Sequence, residues 1–240
     1  MVRGPAALLG VPLLALGYFL LAPQLPALSG DTQPIVCGAV GLAAIGACAL
    51  AALLLREQWM GLVLLALGAG LIASALTAAS VGAPANPFRA LMAAALGILF
   101  ARALPDRRAL VALPLLVAGI DAWSVIDGPS STLISQQPRA VDFLTFELPT
   151  WGSGAARAGQ LGLSDIVFFA MFGAWAGAFG LRRTVTAAAL LGALLAALVL
   201  SVALDTALPV LPLLAAALLL PNADRVIALF ADRRASLSPG

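Results

Sequence analysis

Two aspartates stand where a carboxylate is expensive. Asp121 lies inside the apolar run 109–126 and Asp165 inside the run 161–181. An ionised side chain at the centre of a bilayer costs at least about 2.5–3.5 kcal/mol, so each is a functional candidate. The rest of the inventory leaves chemistry largely to carboxylates. There is no His, and all 13 basic residues are Arg. That excludes a Ser–His dyad, an HExxH zinc site, an imidazole relay and a Lys Schiff base. Two carboxylates that approach closely cannot both ionise readily; one keeps its proton, and the pair then serves as general base and general acid together. Such a pair activates water against a peptide carbonyl and protonates the leaving nitrogen with no metal and no cofactor. It would equally line a proton or cation path, or bond a neighbouring helix. Spacing alone leaves these readings open.

The elements that must position the pair follow from composition. Of the 240 residues 62% are hydrophobic and 10% charged, against roughly 45–50% and about 25% in a soluble domain. The natural solvent is a lipid bilayer, and the expected fold is an all-α, polytopic transmembrane bundle. Apolar runs bounded by Arg, Asp, Gly and Pro predict eight spans. They lie near Pro5 to Leu28, Ile35 to Leu55, Trp59 to Val81, Phe88 to Leu104, Ala109 to Ile126, Leu161 to Leu181, Val185 to Leu204 and Leu208 to Phe230. The first, about 24 residues long, reads as a retained anchor rather than a signal peptide. Residues 1–107 then form a four-helix scaffold, residues 108–230 a second region with a long loop over 127–160, and residues 231–240 a tail.

Arginine placement predicts orientation. With a cytoplasmic N-terminus, Arg89, Arg139 and Arg157 fall outside and the other ten inside, as the positive-inside rule requires. Both termini are then cytoplasmic and the long loop faces outward, in a cell inner membrane or plasma membrane. Asp121 sits roughly 9 Å in from the outer end of its span and Asp165 roughly 6 Å in from the same surface, at the helical rise per residue. The two therefore share a depth. The scattered arginines form no nucleic-acid face. Cys37 and Cys48 are about 16 Å apart along one helix, too far to bridge, and read as buried core.

Local sequence narrows the choice. Around Asp121 the chain reads GIDAWSV, around Asp165 LGLSDIVFF, and near the start of the last span ALPVLPLL. In order and spacing these resemble the presenilin and signal peptide peptidase family of intramembrane aspartyl proteases, over roughly Ala109 to Leu220. The resemblance implies that Asp121 and Asp165 are the catalytic pair. Gly162, with Leu163 and Ser164, then stands for the start of the GxGD motif, and Pro209, Val210 and Leu211 for its Pro-Ala-Leu, all of them beside substrate. Ile120 replaces the usual Tyr, Ser164 the second Gly and Val210 the Ala. The small Ser164 is expected to direct its hydroxyl to the adjacent carboxylate. The resemblance also implies an extended, substrate-facing segment before the GxGD helix, placed here at FLTFELP, residues Phe143 to Pro149.

Other residues have plainer readings. Asp127 and Asp205 are expected at span ends. Gly173, Ala174, Ala176, Gly177 and Gly180 suit close helix packing, and Trp123, Trp151 and Trp175 are expected as interface anchors. A prepilin-type peptidase also uses membrane aspartates, but near the cytoplasmic face and without the Pro-containing motif. The expected activity is endopeptidase cleavage of a transmembrane segment or signal peptide. The alternatives are a proton- or cation-coupled transporter using the same pair and an inactive presenilin-like binding protein.

Overall fold

The computed structural model describes residues 3–28, 32–79, 82–126, 144–152, 157–204, 206 and 208–235. A bilayer offers backbone amides no water, so spanning segments must satisfy them internally. The described chain is accordingly helical apart from one hairpin. Its elements are α1 (Arg3–Leu21), α2 (Thr32–Ala52), α3 (Trp59–Ala78), α4 (Gly82–Ala103), α5 (Ala109–Ile126), β1 (Thr145–Pro149), β2 (Arg157–Gly162), α6 (Leu163–Ala178), α7 (Arg183–Leu204), α8 (Leu211–Leu219) and α9 (Ala223–Ala235). Among the described residues six segments are long and apolar enough to cross a membrane: Ala6–Gln24, Thr32–Leu55, Trp59–Ala78, Gly82–Ala103, Arg183–Leu204 and Leu211–Ala231. The two helices that carry the aspartates, α5 and α6, are shorter and also apolar. The protein is a polytopic helical membrane bundle.

Helix α4 is its axis. It packs on α1, α2, α3 and α6, and 67% of its apolar window is buried against 22% for the windows of the first and third spans. The reason lies in its side chains. Ala90, Ala93, Ala94, Ala95 and Gly97 keep the helix thin on several faces, so neighbours approach closely and gain dispersion contacts that lipid tails would otherwise supply. At Gly97 the approach is backbone to backbone, since a Cβ there would stand 2.1 Å from the carbonyl oxygen of Val167 on α6. Outer helices show the converse pattern: Leu13, Leu14, Leu67 and Leu71 are exposed, as suits lipid-facing positions.

The last span is broken. A single 3-10 turn at Leu220–Asn222, containing Pro221, joins α8 to α9. Buried Asn222 compensates by donating Nδ2 to Thr186 Oγ1 and the Leu218 carbonyl, each at 2.8 Å, and by accepting the Arg182 amide at 2.9 Å. Arg182 also forks onto Asp224, with both bonds at 2.8 Å.

Several expectations need correction. Residues 145–149 and 157–162, across the end of the expected 127–160 loop and the start of the expected sixth span, pair as antiparallel strands β1 and β2, with Thr145 opposite Gly162 and Phe146 opposite Leu161. Strand β2 runs to Gly162, so the sixth span begins at Leu163 and Asp165 lies in its first turn. The fourth span starts at Gly82 rather than Phe88, which takes Arg89 out of the outer loop and into the helix. Trp175 is no interface anchor; it is buried and donates Nε1 to the Ala101 carbonyl at 3.2 Å. Helix α9 continues to Ala235, into the expected tail. Asp127, Asp205, Pro129 and Arg139 lie outside the described residues. Both cysteines are buried and free.

The Gly97 crossing predicts an asymmetry between two glycines. Gly97→Val should lower stability by about 1–3 kcal/mol through overpacking. Gly68→Ala, where a Cβ would meet nothing within 4 Å, should be neutral or slightly stabilising. Thermal unfolding followed by circular dichroism in micelles reads both.

Candidate functional site

The site forms where two helices begin. The first four amides of a helix lack intrahelical acceptors and carry its positive dipole end, which makes a helix start a natural seat for a carboxylate. Pro212 occupies the first turn of α8, and the chain before it, Leu208 to Val210, is not helical. The amide of Leu211 therefore has no carbonyl of its own helix to bond. It donates instead to Asp121 Oδ2 at 2.9 Å. Asp121 is half-buried on α5, which packs chiefly on α8. The aspartate thus acts as a cap supplied by another helix.

Asp165 caps its own helix. It is the third residue of α6, and its Oδ2 accepts the amide of Gly162, the N-cap residue, at 2.9 Å. Gly162 is extended, with φ −69° and ψ 144°, and hands the chain from β2 to α6. A Cβ at Gly162 would stand 3.1 Å from Asp165 Oδ2 and 3.2 Å from Ser164 Oγ, tight enough to press on the carboxylate. This position needs glycine for room rather than for conformational freedom. Asp165 is only 6% exposed, and it lies close enough to Asp121 for the two charges to interact.

Two cavities flank this pair. An apolar one of about 570 Å³ lies between α4, α5 and α6 and is lined by Leu104, Leu113, Leu144, Leu163, Ser164 and Phe168 among others. The second, of about 370 Å³, runs along β2 between the hairpin and α7. Gln160, Leu161, Leu198, Ser201, Leu208 and Val210 are among its walls. The eight residues singled out by sequence therefore fall together. Asp121 and Asp165 form the pair, Gly162 and Leu211 hold them through their amides, Leu163 and Ser164 line one cavity and Val210 the other, and Pro209 precedes the start of α8.

Ser164 departs from expectation. It is exposed and lines the apolar cavity, and its hydroxyl makes no hydrogen bond among the described residues. Ile120 is 54% exposed on α5. The segment FLTFELP also changes role. Its residues 145–149 form β1, with Phe146 and Leu148 buried, and the strand that runs into the Asp165 helix is β2.

Sequence reasoning missed what holds that hairpin. Arg89 is 1% exposed, inside α4; it donates to the Thr145 carbonyl and to Thr77 Oγ1, both at 2.8 Å. Asn86, one turn earlier, donates to the Glu147 carbonyl at 2.6 Å. Both side chains thus grip the β1 backbone. The signal was present as Asn and Arg three residues apart at an apolar run's edge, a helical spacing. Pro84 and Pro87 obscured it by suggesting a later helix start; Pro84 lies in the first turn, where proline is tolerated, and Pro87 lies inside the helix. Among the described residues no group of His, Cys, Asp and Glu could hold a metal ion.

Comparison of the chain with protein-family models, with characterised proteins and with solved structures found no match. The class defined by fold and site is thus a helical membrane protein with paired carboxylates held by backbone amides.

The Arg89 grip makes a local prediction. A charge-assisted bond to a buried carbonyl contributes about 1.5–3 kcal/mol, so Arg89→Met should loosen the hairpin from α4. Amide hydrogen exchange should accelerate in peptides covering 144–149 and 157–162 and stay unchanged in α3. Unaltered exchange in the hairpin would contradict this role.

Proposed function

We propose that this protein is an intramembrane aspartyl endopeptidase that cleaves transmembrane segments or signal peptides. The observation that carries the reading is the arrangement of Asp121 and Asp165. They come from different helices, lie within electrostatic reach, and are each held by a backbone amide of a motif that resembles those of the presenilin and signal peptide peptidase family. An amide donor fixes one oxygen of each carboxylate and leaves the other for water or a substrate carbonyl.

The chemistry follows from one shared proton. The ionised member removes a proton from water, whose oxygen bonds to the peptide carbonyl carbon, while the protonated member donates to the carbonyl oxygen. The tetrahedral adduct then collapses: the C–N bond breaks, the leaving nitrogen takes a proton from the carboxyl that had accepted one from water, and a hydroxyl of the adduct returns its proton to the other carboxylate. A helical substrate hides its carbonyls, so it must unwind first. Strand β2 has one edge filled by β1; its other edge, along the 370 Å³ cavity, suits pairing with an unwound segment. The apolar cavity beside Leu163 and Ser164 suits the segment's side chains. With a cytoplasmic N-terminus, the pair lies in the outer half of the membrane, an orientation that resembles signal peptide peptidase. Substrates with cytoplasmic N-termini are then expected.

Purified protein in lipid should cut a model transmembrane peptide. Asp121→Asn and Asp165→Asn should each reduce the rate by about 10⁴-fold, and a peptide isostere carrying a hydroxyl should inhibit. The pH–rate profile should be a bell whose two limbs belong to the pair jointly. Asp-dependent ion flux with no peptide cleavage would replace this reading by a coupled transporter. Hydroxyl-isostere binding with no cleavage would indicate an inactive binding protein.

A further inference from the structure

At the end of α6 remote from Asp165, three arginines from three parts of the chain converge on one cavity. Its volume is about 380 Å³, and its walls include Arg56, Glu57, Arg102, Trp175, Gly177 and Arg183. Arg56 ends the 3-10 turn after α2, Arg102 lies in the last turn of α4, and Arg183 begins α7. Sequence positions 56, 102 and 183 share no local motif; the fold alone brings them together.

The geometry is crowded with positive charge. A Cβ placed on Gly177 would stand 3.1 Å from Arg56 Nη1 and 3.4 Å from Arg183 Nε, so two guanidinium groups approach one point over a residue without a side chain. Arg102 donates to the Arg56 carbonyl at 2.6 Å and lies 5.9 Å from the centre of the Trp59 ring. Arg183 donates to the Gly177 carbonyl at 3.1 Å. One acid lines the cavity, Glu57, and it is 82% exposed and bonded to Arg56 Nε at 3.1 Å. Among the described residues neither Arg102 nor Arg183 has a carboxylate partner. Each arginine carries five donors, and the bonds to carbonyls and to Glu57 use few of them.

Helix carbonyl ends explain why single arginines sit here. The positive-inside bias explains arginines at this face, where Arg102 and Arg183 are exposed; neither explains the convergence of three on one cavity, whose mutual repulsion an anion between them would relieve. Fork-shaped guanidinium groups match phosphate oxygens bidentately. The exposed Trp59 is of the type that settles at the headgroup level. We infer that this cavity is a phosphate-binding site formed by Arg56, Arg102 and Arg183, at a depth that suits the headgroup of an anionic phospholipid. The site is independent of the proteolytic reading.

The test uses full-length protein in nanodiscs of phosphatidylcholine with or without phosphatidylglycerol. Native mass spectrometry reads retained lipid, and thermal unfolding reads stabilisation. Wild type should retain phosphatidylglycerol and unfold at a higher temperature in its presence. Arg102→Gln and Arg183→Gln should each weaken retention about fivefold. Gly177→Leu keeps every charge but fills the cavity; the atoms nearest a Cβ there belong to arginine side chains, and the variant should lose the lipid while unfolding like wild type in pure phosphatidylcholine. Arg225→Gln, at the same end but outside the cavity, should behave as wild type. In neutral micelles, inorganic phosphate at constant ionic strength supplies the second arm. Stabilisation there that the Arg102→Gln variant lacks, without lipid retention, would assign the site to a soluble phosphate. If neither phosphatidylglycerol nor phosphate distinguishes wild type from the three cavity variants, or if Arg225→Gln loses lipid equally, the inference fails.

Discussion

In hydrocarbon, an amide without an acceptor costs several kcal/mol, and every helix start leaves such amides; those at the starts of α6 and α8 build the candidate site. Both are answered by carboxylates. The amide of Leu211 bonds Asp121 from a different helix, and the amide of Gly162 bonds Asp165 from the same one. The aspartates are therefore structural before they are chemical. Their burial is tolerable because each carboxyl meets a positive dipole end, and the non-helical stretches before α6 and α8 are tolerable because each is capped. Removing either half would expose the other.

The rest of the bundle serves that reciprocity. The thin, alanine-rich α4 lets α6 approach to backbone contact at Gly97, and its Arg89 and Asn86 hold β1. Strand β1 aligns β2, and β2 delivers Gly162 to the start of α6. The chain of support thus runs from one central helix to one carboxylate. The other carboxylate depends on α8, whose irregular beginning is secured further along by the Asn222 bonds and the Arg182 fork.

Legibility in the sequence followed solvent. In an apolar chain a carboxylate is conspicuous, so Asp121 and Asp165 were readable, and prolines marked where α8 must begin. Gly162, Val210 and Leu211 were readable through motif order. The hairpin was not, because RAGQLG has no β-branched residue and Gly occupies two of its six positions, which weakens any strand signal. Phe146 and Leu148 alternate inward as a strand requires, but five residues are too few to separate from a loop. Arg89 was misplaced because its helix starts two prolines earlier than its apolar run. The arginine cavity was invisible for another reason: its members are far apart in sequence, and only tertiary packing joins them.

The shortness of α6 has a further consequence. Its 16 residues reach only about 24 Å at the helical rise, against a hydrocarbon core of about 30 Å. A segment this short draws the headgroups of the two leaflets toward each other beside it. Asp165 lies in the first turn of this helix and the arginine cavity at its other end, so thinning of the bilayer would fall beside both. Thinning beside Asp165 would shorten the journey of a water molecule to the carboxylates, and hydration of this site would then depend on the lipid and fall in a thicker bilayer.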